Sequence, residues 1–190
     1  MLKSAKYLLE MSSDNNNMPC GDISAVALMT SYFEGIEFFF TGKSSKGKSE
    51  SFFKSGFSRV FSTNKADREM FQKIAESIYY QVRCGFMHEG MFRSRVFFSR
   101  MRPDAILVTW PKTNGVFDQT KTVESLVINP QRFYECICIH FNEYITSLRN
   151  NSSPELSHAF TKAMNMAWDI NGYEPLIAMT EKEFTSKVAT

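Results

Sequence analysis

Three long stretches of this chain place apolar residues three and four positions apart, and that spacing commits the chain to helices. Between 21 and 40 the stripe is Ile23, Val26, Ala27, Thr30, Phe33, Ile36 and Phe40. Between about 64 and 90 it is Phe71, Ile74, Ile78, Val82 and Phe86. After Asn129-Pro130 it is Phe133, Ile137, Phe141, Tyr144, Ile145 and Leu148. A 3.6-residue period gathers such positions on one face, which must be buried against other elements.

The punctuation agrees with the periodicity. Asp22 is placed to cap the first long helix and Gly90 to close the second. Asn129 followed by Pro130 reads as an N-cap with proline at the first helical position. Ser153-Pro154-Glu155 repeats that signal for a last helix carrying Leu156, Phe160, Ala163, Met164 and Ala167, stopped by Asn171-Gly172. A short first helix precedes a polar loop at 12–17. Another short helix carries Phe52, Phe53, Phe57, Val60 and Phe61 before Ser62-Thr63-Asn64 breaks it. The helical period lapses once. Ala105 to Trp110 and Val123 to Ile128 read as paired strands, with Asn114-Gly115 as a turn between them. The expected fold is mainly α. It is a single domain over residues 1–190, a bundle of about five helices with a small β-hairpin inserted at about 104–128.

Composition narrows the function classes. With 190 residues the chain can bury one core without disulfides or a metal staple. The net charge of +2 does not call for a nucleic-acid or membrane partner, so charge has to be read locally. No run of ~18 uninterrupted apolar residues occurs, so no membrane span is expected. Cys20, Cys84, Cys136 and Cys138 have neither Cys-x-x-Cys nor zinc-ligand spacing; they read as reduced core thiols in a cytoplasmic protein. No metal or other cofactor is expected. The 18 phenylalanines exceed what one core needs. Phe71, Phe86, Phe133, Phe141 and Phe160 fit core stripes. Phe38-Phe39, Phe52-Phe53 and Phe97-Phe98 are adjacent pairs, and Phe92 lies near the last. Adjacent helical side chains diverge by ~100°, so one ring of a pair can face a partner subunit.

Two motifs carry chemistry. Gly42-Lys-Ser-Ser-Lys-Gly47-Lys48-Ser49 satisfies the phosphate-loop string, in which Lys48 would reach terminal phosphates and Ser49 a magnesium ion. That chemistry requires a strand before the loop and a parallel sheet around it. The preceding segment is helical, and too few strands are in prospect. The second motif is Arg83-Cys84-Gly85-Phe86-Met87-His88, near the end of a long amphipathic helix. Arginine offers a planar, permanently charged fork for phosphate, and histidine exchanges protons near neutral pH. Together they meet the needs of RNA phosphodiester cleavage: a proton taken from the 2′-hydroxyl, one given to the leaving oxygen, and charge neutralised on phosphorus. Five residues turn ~140° on an ideal helix, so the two groups share a face only if the helix bends or a second copy supplies one of them. Gly85 is the candidate hinge or point of close approach. In the plain alternative, Arg83 pairs with a carboxylate such as Glu76 or Glu89, and His88 bonds near the helix end.

At this motif the chain resembles the HEPN superfamily, whose signature is R-x(4–6)-H within an all-helical bundle. The wider string from Tyr79 to Gly90, and the preceding helix with Ser31-Tyr32-Phe33-Glu34, carry the same likeness, which covers roughly residues 20–170. The resemblance implies a homodimer with motif helices facing each other. It further implies metal-independent endoribonuclease activity in a toxin–antitoxin or phage-defence setting, with an antitoxin or other protein as a further partner. Arg83 and His88 would be the catalytic pair. Active members often have a polar residue after the arginine, where this chain has Cys84; a non-catalytic module that dimerises and binds RNA or a nucleotide is the alternative. Arg93, Arg95, Arg100 and Arg102, interleaved with Phe92, Phe97 and Phe98, are candidate RNA contacts, as is the ring of Tyr80. Glu34, Glu89 and Cys84 are candidate supporting residues.

Overall fold

In a computed structural model the chain is mainly helical with two small sheets. The structure describes residues 1–14, 19–61, 68–93, 95–118, 120–168 and 180–188. The helices are α1 (Leu2–Asp14), α2 (Pro19–Thr41), α3 (Ser49–Val60), α4 (Arg68–Ile78), α5 (Gly85–Glu89), α6 (Pro130–Arg149), α7 (Pro154–Trp168) and α8 (Glu181–Val188), with a π-helical turn at Tyr79–Cys84 joining α4 to α5. The strands are β1 (Val96–Phe98), β2 (Ile106–Thr109), β3 (Lys112–Thr113), β4 (Val116–Phe117) and β5 (Ser125–Ile128).

Helix α2 is the axis of the bundle. Helices α1, α3, α6 and α7 and the π turn all pack on it, and Ala25, Val26, Met29 and Phe33 are fully covered. Cys20–Thr41 is long and apolar enough by itself to cross a membrane. As expected, its apolar run is interrupted, by Asp22, Glu34 and Glu37, and the helix reaches that length and mean apolarity in spite of them. In this fold the same apolarity is used against four neighbouring helices.

The phenylalanines converge here. Phe33 meets Phe53, Phe57 and Phe133 edge-to-face at 5.1, 5.2 and 5.7 Å and tilts against Phe61 at 6.1 Å. Each favourable ring pair adds about 0.5–1.5 kcal/mol beyond its buried area. Both rings of the Phe52-Phe53 pair are buried within the monomer, which corrects the expectation that such a pair splits. Phe97 is the ring of the Phe97-Phe98 pair that faces outward. Phe141, expected in the core, is exposed at the rim of an apolar groove beside Tyr32 and Phe160. Helices α2 and α3 cross backbone to backbone at Gly56, where an added Cβ would lie 1.9 Å from the Phe33 carbonyl oxygen.

The strand segment matches its expectation and adds to it. Strands β2 and β5 pair antiparallel, Ile106 opposite Ile128, and the tip carries the β3–β4 ribbon. Asn114 and Gly115 at that tip both have positive φ, as a two-residue I′ turn requires. Strand β1 adds in parallel to β5, so the hairpin is part of a three-stranded sheet. Asn129 caps α6 as expected, accepting from the Gln131 and Arg132 amides with Pro130 at the first turn. Asp22 is not an N-cap: α2 starts at Pro19, and the Asp22 carboxylate receives Arg100. Helix α1 runs to Asp14 and takes in the first residues of the expected 12–17 loop. Cys84 is buried and Cys136 and Cys138 half-buried, all free, whereas Cys20 is exposed rather than in the core. The expected breaks at Ser62-Asn64 and Asn171-Gly172 lie outside the described residues.

Candidate functional site

The motif helix is a rod in three parts, α4, the π turn and α5. An i→i+5 turn is wider than an α turn, and such single-turn insertions occur often at functional sites. Arg83 and Cys84 lie inside it, so the ideal-helix count across the motif does not apply. Long-range contacts secure the insertion. The Gln81 carbonyl accepts from the Arg93 amide at 2.9 Å, and Gly85 lets the returning chain approach so closely that a Cβ would lie 2.9 Å from the Met91 carbonyl oxygen. Gly85 thus serves close approach by the 91–93 segment. Gly90, at φ 74°, ends the rod.

Arg83 faces α2. Its Nη2 donates to Glu34 Oε2 at 3.3 Å, and the same carboxylate oxygen accepts from the Ser49 hydroxyl at 2.6 Å. The guanidinium stands 5.5 Å from the centroid of the Tyr79 ring. Arg83, Glu34, Ser31, Phe38, Ser45 and Met87 line a cleft of about 370 Å³. Met87 lines the cleft with Arg83, whereas His88 is solvent-exposed and is not among the residues that line it. One chain therefore presents Arg83 in the cleft and His88 at the outer end of the rod. Arginine carries five N–H donors, and Glu34 engages one nitrogen of Arg83. The partners weighed from sequence, Glu76 and Glu89, belong to other cations: Lys54 lies 3.8 Å from Glu76 and Arg93 2.6 Å from Glu89. The Arg93 guanidinium holds the Glu89 carboxyl below its ordinary pKa, and His88 acts in the same direction.

The other sequence candidates are dispersed. Arg100 donates to Asp22 at 2.5 Å and to the Leu9 carbonyl at 2.8 Å, joining the strand segment to α1 and α2. Arg102 sits 3.4 Å from Asp104, and Arg95 reaches the Glu124 carbonyl at 3.5 Å. Three of these four arginines are thus matched to carboxylates. Tyr80 points away from the Arg83 cleft, donating its hydroxyl to Glu50 at 2.7 Å; that bond pushes the Tyr80 pKa up to about 12. Cys84 is buried within the π turn itself. Among the described residues no group of three or more His, Cys, Asp and Glu side chains could hold a metal ion.

The Gly42–Ser49 string is a connection between two helices, α2 and α3. It follows a helix where a phosphate loop follows a strand, and Ser49 is the first residue of α3 with its hydroxyl on Glu34. The helix expected before the string is present, which counts against the less favoured nucleotide-binding reading. Sequence reasoning missed Ser45, Ser49, Tyr79 and Met87 as neighbours of Arg83. The i, i+4 relation to Arg83 was the available signal for Tyr79 and Met87.

No family model, curated protein or solved structure matches the chain.

Proposed function

We propose that this protein is a HEPN-like, metal-independent endoribonuclease that acts as a homodimer in a toxin–antitoxin or phage-defence setting. Two motif rods face each other, and RNA is cut in the cleft they share. Arg83 neutralises charge on the scissile phosphate. His88, from the same or the facing protomer, exchanges the proton at the 2′-hydroxyl or the leaving oxygen. The 2′-oxygen forms a bond to phosphorus as the bond to the 5′-oxygen breaks, and the departing oxygen takes up a proton.

The observation that carries this reading is the placement of Arg83. A half-buried guanidinium, supported by one carboxylate and a ring, opens onto a cleft with donors to spare. His88 outside that cleft favours a site completed by a second copy. Purified protein should cut single-stranded RNA in EDTA. Arg83→Ala and His88→Ala should each lower the rate by at least about a hundredfold, the scale of a lost general acid–base or charge-stabilising group. Equal cleavage by wild type and both variants would reject the reading. The Glu34–Arg83 pair also suits a non-catalytic module, which would bind RNA and leave it whole.

A further inference from the structure

Resting on that reading, we propose that the loop at 42–48 is the strand-guiding surface of the same site, with Lys43, Lys46 and Lys48 holding the phosphates of single-stranded RNA on either side of Arg83. Three lysines fall within six residues here. All three are exposed, and among the described residues none has a carboxylate within 4.0 Å. Arg93, Arg100 and Arg102, the more obvious cations in the sequence, are each held by an acid.

The loop also lies in the right place. Ser45 lines the Arg83 cleft. Gly47 and Lys48 line a second cleft of about 610 Å³, with Ser51, Gln72, Tyr79 and the ion pair of Lys54 with Glu50, so that its unpaired positive charge comes from the loop. The two clefts meet at the immediate partners of Arg83. Tyr79, beside the guanidinium, lines the second cleft, and Ser49, bonded to Glu34, lines it as well. A strand with one phosphate on Arg83 can run over Ser45 into this second cleft, passing the lysines. The loop has a defined shape: the Lys48 amide donates to the Ser45 carbonyl at 2.7 Å, the Lys46 amide to Ser44 Oγ at 3.2 Å, and Gly42 and Gly47 take positive φ. The string that imitates a nucleotide site is a backbone contact for a polynucleotide.

The test uses an RNA of about 12 nucleotides, within the length one binding groove covers, fully 2′-O-methylated so that it cannot be cut. Fluorescence anisotropy gives Kd from about 50 to 200 mM KCl. Loss of three phosphate contacts should make the slope of log Kd against log salt shallower by about 2, since each single-strand contact contributes about 0.7. The variant is Lys43→Gln/Lys46→Gln/Lys48→Gln. The control, Lys112→Gln/Lys162→Gln/Lys182→Gln, removes the same charge elsewhere and should keep the wild-type slope. A wild-type slope in the loop variant would overturn the inference, and so would an equal loss in the control. No binding by the wild type would overturn both this inference and the nuclease reading. Loop-dependent binding of this RNA, with no cleavage of unmodified RNA, would uphold the inference and reject the catalytic step alone.

Discussion

Replacing Glu34 by glutamine removes the charge that holds Arg83, and its consequences run in two directions. At 3.3 Å two unit charges attract by about 5 kcal/mol at an effective dielectric constant of 20. Both side chains are about a quarter exposed, at 24% and 23%. Solvent screening and the cost of ordering two long side chains reduce the net coupling to about 1–2 kcal/mol. A urea-denaturation cycle of wild type, Glu34→Gln, Arg83→Gln and the double variant should return that coupling energy. Glu34→Gln alone should lower Tm by roughly 2–8 °C in a domain of this size. The same substitution frees Arg83 for phosphate, so the uncleavable RNA should bind up to about tenfold tighter. Lower stability with higher affinity is the signature of a carboxylate that competes with the ligand. A coupling below about 0.3 kcal/mol, or weaker RNA binding by Glu34→Gln, would refute the reasoning.

Two further predictions concern the fold. Gly56→Ala forces a Cβ against the Phe33 carbonyl; the overpacking outweighs the gain in helix propensity. Stability should fall by about 2 kcal/mol and Tm by roughly 4–8 °C, and an unchanged melt would show that α2 and α3 do not cross so closely. His140 is held neutral chiefly by burial, which lowers its pKa, and its Nδ1 lies 2.8 Å from the Tyr32 hydroxyl. Its contribution to stability is complete above the ordinary histidine value of about 6.5 and is lost as pH falls through the lowered folded value. Thermal melts of wild type should therefore show an acid loss that His140→Gln reduces; equal acid slopes would contradict this.

The helices were legible because their apolar stripes repeat over many turns, and local chemistry such as Asn129-Pro130 marks where they begin. The β2–β5 pairing was legible from its composition and the Asn114-Gly115 turn. The rest depends on distant partners. Strand β1 is three residues long and exists through β5. Arg100 reads as a surface cation until Asp22, 78 residues away, is brought beside it. Nothing in Tyr79–Cys84 announces a π turn; the bond from the Arg93 amide and the close approach at Gly85 support it from outside. At the site, the motif spacing pointed to Arg83 and His88. It did not show that Glu34 rather than Glu76 or Glu89 is the partner of Arg83. That choice is made by the packing of the rod against α2, across 49 residues of sequence.

In the proposed reaction Arg83 and His88 act together on an RNA phosphate in a cleft between two copies of this chain. A crystal structure with the 2′-O-methylated RNA tests it most directly. The expected result is a dimer with a backbone phosphate on the Arg83 guanidinium. His88 of one protomer or the other should lie within about 2.6–3.2 Å of the 2′-oxygen or the leaving oxygen. A monomer, or RNA bound with Arg83 still on Glu34 and His88 remote from any phosphate, would contradict it.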